Sequence, residues 1–130
     1  ARIARSGEEV TLICYGPMVD TCLEAAKEAS QEGRKLEVID VRSLSPLDMA
    51  TVYESVRRTT RAIVVQEAPR TQGVGAEIAA RLGEELYYVM EAPVLRVTGW
   101  STPYPPAKAE GEHIPDVDRI LDAVDRSLAF

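Results

Sequence analysis

The fold class follows from residues 10–33, which read VTLICYGPMVDTCLEAAKEASQEG. The first six residues are an unbroken apolar run ending at Gly16, typical of a strand that is covered on both faces. Pro17 suits a first helical turn, and apolar side chains then recur at steps of three and four residues. Gly33 stands where a left-handed C-terminal cap belongs. The stretch therefore predicts a buried strand followed by an amphipathic helix.

The same alternation continues through the rest of the chain. Further strands are predicted at residues 35–41, 61–66 and 94–98, with helices beginning near Ser45 or Asp48, near Gly75 and after Ile114-Pro115-Asp116. Repetition of strand and helix predicts an α/β fold with a mostly parallel sheet. Residues 2–5 are separated from the next strand by only a short turn, so they are expected to run antiparallel at an edge.

Composition excludes several classes of function. The chain has 130 residues, a net charge of −6 and no block of basic residues, so no nucleic-acid or anionic-membrane partner is expected. No stretch approaches the roughly 18 apolar residues of a membrane span. Cys14 and Cys22 are expected to be buried thiols in a reducing compartment, because one His and no CxxC motif exclude a cysteine–histidine metal site. We expect a cytoplasmic location of bacterial type, with the mitochondrial matrix as the alternative.

The loop at 67–75, which contains Gly73-Val74-Gly75, invites a dinucleotide-binding interpretation. Position 78, where the third glycine of the motif belongs, holds Ile78, and the glycines lie beyond the end of the strand. The favoured interpretation is that Gly73 and Gly75 let the loop turn into a helix. The alternative is an anion held at the helix N-terminus.

Other loop residues have structural and functional interpretations. Glu67 and Arg70 are expected to form an ion pair within their loop, or to reach a partner domain. Trp100 and Tyr104 lie on a long, irregular path to Pro115, where they serve either as interface anchors or as packing for their own loop. His113 has no neighbouring nucleophile and is not expected to be catalytic.

Three motifs in these loops resemble the C-terminal domain of 2-oxo acid dehydrogenase beta subunits. They are LSPLD at residues 44–48, EAPRTQGVGAE at residues 67–77 and APVLRVTGWSTPYPP at residues 92–106. The entry to the last helix at Ile114-Pro115-Asp116 is similar too. The resemblance covers essentially the whole chain in order, and it is closest to the branched-chain members. Gln66 departs from the pattern, because many relatives carry His there.

The resemblance implies a transketolase C-terminal-like fold. This is a three-layer α/β/α domain over residues 1–130, with a five-stranded mixed sheet whose first strand is antiparallel, cut from a longer beta subunit. The implied activity is oxidative decarboxylation of branched-chain 2-oxo acids, with acyl transfer to a lipoyl arm by an enzyme using thiamine diphosphate and magnesium. Because the sequence contains no Gly-Asp-Gly magnesium signature, we expect this chain to bind neither cofactor and to supply no catalytic residue.

The resemblance assigns this domain to assembly. The implied partners are the alpha subunit and second beta subunit of a heterotetramer, and the subunit-binding domain of the lipoyl-acyltransferase. The interface and loop candidates are Glu67, Arg70, Thr71, Gly73, Gly75, Trp100, Tyr104, Pro105 and Phe130. Alternatives are a pyruvate dehydrogenase beta subunit, a free-standing anion-binding regulatory domain using the Gly73–Gly75 loop, and an autonomous flavodoxin-like enzyme.

Overall fold

A five-stranded mixed sheet organises the computed structural model, which describes residues 1–103 and 105–130. The strands are β1 (Arg2–Arg5), β2 (Val10–Cys14), β3 (Leu36–Asp40), β4 (Ala62–Pro69) and β5 (Leu95–Gly99). They lie in the order β1-β3-β2-β4-β5. β1 pairs antiparallel with β3 at one edge, and the other pairings are parallel. The predicted mixed sheet with an antiparallel first strand is confirmed.

Helices cover both faces of this sheet. They are α1 (Met18–Gln31), α2 (Met49–Thr59), α3 (Val74–Leu86), a 3-10 helix (Ala107–Ala109), α4 (Glu110–His113) and α5 (Val117–Leu128). One apolar core joins α1 and α5 to the sheet, and a second joins α2 and α3 to it. The side chains of β2 divide between the two, with Leu12 in the first core and Ile13 in the second. Burial on both faces explains why its apolar run does not alternate.

Local signals set the ends of several helices. Asp48, rather than Ser45, caps α2, because its carboxylate accepts a hydrogen bond from the backbone N–H of Thr51 at 3.3 Å. Asp116 caps α5 by accepting from the N–H of Arg119 at 2.8 Å. Gly33 follows α1 with a φ of +83°, the left-handed position expected from the sequence.

Two sequence expectations are corrected. The path between β5 and α5 is not wholly irregular, because residues 107–113 form the 3-10 helix and α4. β4 continues to Pro69, beyond the predicted end at residue 66, and its last residue pairs with Gly99 of β5. In both places tertiary contacts order a segment whose sequence has no clear periodicity.

A buried polar cluster lies between the sheet and α2. Glu37 is 1% exposed, and its carboxylate accepts hydrogen bonds from the Ser55 hydroxyl and from the guanidinium of Arg58 at 2.9 Å. The Thr11 hydroxyl lies 2.8 Å from that of Ser55 and 2.7 Å from that of Thr59. The cluster fixes α2 on β2 and β3 because each polar group finds its partner across that interface.

Candidate functional site at the carboxyl ends of the strands

The carboxyl ends of β2 and β4 meet around one buried side chain, that of Gln66. Its Oε1 accepts hydrogen bonds from the backbone N–H of Gly75 at 2.8 Å and from the Tyr15 hydroxyl at 3.1 Å. Its Nε2 donates to the carbonyl of Pro69 at 3.1 Å. Gln66 is fully buried. The amide therefore ties the strand ends to the first turn of α3, and the loop between them is held from inside.

Gly73 and Gly75 are glycines because Gln66 comes close to their backbones. A Cβ at Gly73 would overlap the Gln66 Nε2, and one at Gly75 would lie 2.8 Å from its Oε1. The close approach of Gln66 thus explains why glycines are needed where the loop turns into the helix. The N–H of Gly75, which an anion would need at this helix N-terminus, is already donated to Gln66.

A cleft of about 350 Å³ opens beside this bonded core, lined in part by Tyr15, Glu67, Thr102 and His113. Burial, followed by the nearby charge of Glu67, raises the pKa of the Tyr15 phenol. The neutral phenol is therefore the form that donates to Gln66. Glu67 is half-buried at the cleft wall, so its carboxylate can receive a donor from outside the domain.

His113 closes the cleft from the end of α4. It is 4% exposed, and a Cβ on Gly99 would lie 2.7 Å from its Nε2 and would overlap the Glu67 carbonyl. Gly99 is thus required where β5 passes between β4 and α4. The position of His113 suits packing at the strand ends, and its lack of a catalytic role stays a prediction.

The expected ion pair between Glu67 and Arg70 does not form among the residues described. Instead, Arg70 Nη1 donates to the backbone carbonyl of Arg96 at 3.1 Å, and Arg96 Nη1 donates to the carbonyl of Arg70 at 2.9 Å. The positions of Glu67 and Arg70 explain why Arg70 bonds to Arg96 instead. Glu67 lies within β4 on the cleft side, whereas Arg70 follows the strand end and turns toward β5.

Two of the other loop candidates, Thr71 and Trp100, form hydrogen bonds to neighbouring segments. Thr71 joins the two loops, because its backbone N–H donates to the Ser101 hydroxyl at 3.2 Å. Trp100 donates its indole N–H to the carbonyl of Glu112 at 3.1 Å, yet 56% of the residue is exposed. Trp100 thus bonds to the segment that follows its own loop, and its role as an interface anchor stays a prediction. Pro105 is half-buried just before the 3-10 helix, and Tyr104 lies outside the described residues.

Phe130 lies apart from the loop candidates. Its backbone oxygen accepts a hydrogen bond from Arg61 Nη2 at 3.4 Å, and Arg61 immediately precedes β4. Phe130 therefore stands at the amino ends of the parallel strands, across the sheet from Gln66. The residue is 67% exposed. The candidates thus form two separate surfaces, one at each end of the sheet.

Sequence reasoning missed Gln66, Tyr15, Arg96 and Arg119 as determinants of these loops. Arg96 and Gln66 did carry a signal, because each is a polar side chain in a run that otherwise reads as a buried strand. Arg119 carried none, since a charged residue on an amphipathic helix is ordinarily solvated.

Within residues 1–103 and 105–130, no three His, Cys, Asp or Glu side chains form a group able to hold a metal ion. In the same residues, no helix is long and apolar enough to cross a membrane.

Comparison with known proteins finds relatives among the beta subunits of enzymes. The sequence profile of the family "Transketolase, C-terminal domain" matches residues 1–120. The chain is 54% identical over 130 residues to the pyruvate dehydrogenase E1 component subunit beta of Leifsonia xyli, covering 100% of this chain and 39% of that protein. It is 50% identical over 129 residues to the 3-methyl-2-oxobutanoate dehydrogenase subunit beta of Mycobacterium tuberculosis, covering 98% of this chain and 37% of the relative.

A solved structure shows the same fold. The match is to a split-gene transketolase described as an inactive beta4 tetramer, with a TM-score of 0.85 and 29% sequence identity. It covers 98% of this chain and 41% of that one. The chain therefore spans about two-fifths of the length of the proteins it resembles.

Proposed function

Because the chain belongs to the transketolase C-terminal domain family, we propose that it is the assembly domain of a 2-oxo acid dehydrogenase beta subunit. One observation carries the proposal: essentially the whole chain is at least 50% identical to two such beta subunits. The share of those relatives that it covers, 39% and 37%, fits one domain of a longer subunit. Domains of one chain commonly meet through polar surfaces of moderate size.

The proposed substrate class is a small 2-oxo acid. The motifs resemble the branched-chain members most, while the identities of 54% and 50% support pyruvate and 3-methyl-2-oxobutanoate alike. The test is to assemble the complete beta subunit with its alpha subunit and measure decarboxylation of each acid with an artificial electron acceptor. Turnover of the branched-chain acid alone favours the first assignment, and turnover of pyruvate alone favours the second. Turnover of neither rejects the proposal.

Thiamine diphosphate and magnesium are proposed as cofactors of the full enzyme, held outside this chain. The described residues do not fit a magnesium site, because no group of three metal-binding side chains is present among them. We propose that this chain binds neither cofactor and supplies no catalytic residue. Calorimetric titration of the chain with thiamine diphosphate and Mg²⁺ should show no heat of binding, whereas micromolar binding would refute this part of the proposal.

The proposed partners are the alpha subunit, a second beta subunit and the subunit-binding domain of the lipoyl-acyltransferase. Exposed large side chains support contacts at both ends of the sheet, with Trp100 56% and Phe130 67% exposed. Sedimentation of the complete subunits, with and without the acyltransferase domain, tests the assembly. Removing Phe130 should weaken acyltransferase binding and leave the heterotetramer intact. Unchanged binding after its removal would exclude Phe130 from the docking surface.

The regulatory alternative is not favoured by the geometry. An anion at the start of α3 would compete with Gln66 Oε1 for the N–H of Gly75.

A cytoplasmic location is proposed with the bacterial beta subunits as its basis, and two free buried cysteines are compatible with it. Fractionation of cells that produce the complete subunit tests the location.

A further inference from the structure

Arginine side chains cover the outer edge of β5. The carbonyls of Arg96 and Thr98 lie two residues apart on this strand, so they point to the same side. The first accepts from Arg70 Nη1 at 3.1 Å and the second from Arg119 Nη2 at 2.6 Å. β5 is the last strand of the sheet, and these bonds occupy carbonyls that would otherwise be open to a sixth strand.

Four arginines border one groove of about 440 Å³, here called the arginine groove: Arg70, Arg96, Arg119 and Arg126. Arg126 pairs with Asp122, whereas none of the other three has a carboxylate at ion-pair distance among the described residues. Arg119 Nη1 is buried and has no hydrogen-bond partner there. An unpaired guanidinium nitrogen out of reach of water is costly unless a ligand completes its bonding.

Charge repulsion between arginines inside the groove also favours a bound anion. Burial, followed by the charge of Arg70, lowers the pKa of Arg96. Two guanidinium groups are thus held beside each other by hydrogen bonds to backbone carbonyls. An anion placed there would relieve the repulsion and would meet donors that are already oriented.

Acidic residues line the groove as well. They are Asp116, Asp118 and Asp122 of the α5 segment, and Asp122 is paired with Arg126 at 3.1 Å. These carboxylates repel a doubly charged phosphate more strongly than a single carboxylate, which carries one charge. Trp100 adds an apolar surface, with the Arg119 guanidinium 4.8 Å from the centroid of its ring. Exposed Trp beside Arg is typical of protein-binding surfaces.

We propose that the arginine groove binds a carboxylate side chain of an acidic polypeptide segment. Arg70 and Arg96 supply the fork-shaped donors that match a carboxylate, and Trp100 packs against the neighbouring part of the segment. The inference goes beyond the proposed function, since it assigns a ligand class to a surface of this chain whatever the enzyme's substrate. An experiment that rejects the proposed function does not reject this inference, and the converse also holds.

The single Trp of the sequence makes the test direct, because one indole N–H signal reports on the groove alone. The ¹⁵N-labelled 130-residue chain is titrated with a blocked hexaglutamate peptide at low salt, and in parallel with a blocked hexalysine peptide and with inorganic phosphate. A saturable shift of the Trp100 indole signal is expected with hexaglutamate, weakening as salt is added. No saturable shift with hexaglutamate, or tighter binding of phosphate, overturns the proposal.

Variants separate the groove from general charge. Arg96→Lys keeps the charge and removes the fork, and Arg70→Ala removes one donor. Each should weaken hexaglutamate binding about tenfold or more. Arg81→Ala is the matched control, because Arg81 lies on α3 at the other face of the sheet and pairs with Glu77. An equal loss in Arg81→Ala and Arg70→Ala, each of which removes one positive charge, would show a nonspecific charge effect and overturn the assignment.

Discussion

The side-chain oxygen of Gln66 accepts a hydrogen bond from the backbone N–H of Gly75 at 2.8 Å, across nine residues of chain. The bond joins the carboxyl end of β4 to the first turn of α3. Its length depends on Gly75 having no side chain, since a Cβ there would lie at that same distance from the Gln66 oxygen. The loop carrying Arg70 and Thr71 is therefore positioned by a buried amide and a glycine.

Replacing Gly75 by Ala should lower the free energy of unfolding by about 1–3 kcal/mol, because a methyl group would displace Gln66 or leave its amide unsatisfied. Gly83→Ala is the matched control in the same helix. A Cβ at Gly83 meets nothing within 4 Å, so that variant should gain about 0.5–1 kcal/mol from helix propensity. Urea denaturation measures both. Equal effects of the two substitutions would contradict the proposed close approach.

Adjacent arginines on α2 should differ in their contributions to stability. Arg58 bonds the buried carboxylate of Glu37, so Arg58→Ala is expected to cost about 1–3 kcal/mol. Arg57 pairs with Glu85 where both side chains are about half exposed, and Arg57→Ala should cost no more than about 1 kcal/mol. Chemical denaturation of the two single variants compares them. A larger loss for Arg57→Ala would mean that the Glu37 cluster does not hold α2.

The cap of α2 should be sensitive to acid. The Asp48 carboxylate accepts hydrogen bonds from the Thr51 hydroxyl at 2.8 Å and from the Thr51 backbone N–H at 3.3 Å, and both favour its charged form. A depressed folded-state pKa gives stability that is present above the unfolded-state pKa and is lost as the pH falls through the folded-state value. Stability should therefore drop below about pH 4, near the ordinary pKa of Asp.

Asp48→Asn should remove part of that acid dependence while keeping a capping oxygen, and Asp48→Ala should cost about 0.5–2 kcal/mol at neutral pH. Ser45→Ala is the control, because the structure assigns the cap to Asp48. Thermal unfolding at several pH values records both effects. A cost for Ser45→Ala equal to that of Asp48→Ala would place the cap at Ser45.

The two thiols should resist alkylation in the folded chain. A hydrogen bond with Cys14, and then burial, raises the pKa of Cys22 far above its usual value. The thiolate is the reactive form, which disfavours reaction of Cys22, and both side chains are fully buried. Iodoacetamide at pH 8 should therefore modify neither thiol until the chain unfolds. Mass spectrometry of native and urea-treated samples counts the adducts. Rapid native labelling of Cys22, at the rate of a free cysteine, would disprove its burial.

The amino-acid sequence by itself determined most of the helices and strands and the mixed character of the sheet. Apolar runs at Val10–Tyr15 and in three later stretches predicted the parallel strands, and the short turn after residues 2–5 predicted the antiparallel edge strand. These features are local, because periodicity, caps and connection length are set by neighbouring residues. The motifs at residues 44–48, 67–77 and 92–106 also carried the family, which the comparisons confirm.

Only the tertiary structure decided which side chains meet at the carboxyl ends of the strands. Gln66 reaches Tyr15 because β2 and β4 are neighbours, and Arg70 turns to Arg96 rather than Glu67 because β4 extends to pair with β5. Arg119 of α5 reaches the carbonyl of Thr98 on β5, which lies 21 residues earlier in the chain. These contacts depend on strand order and register. Both are set by many weak contacts over the whole chain, so no short stretch of sequence predicts them.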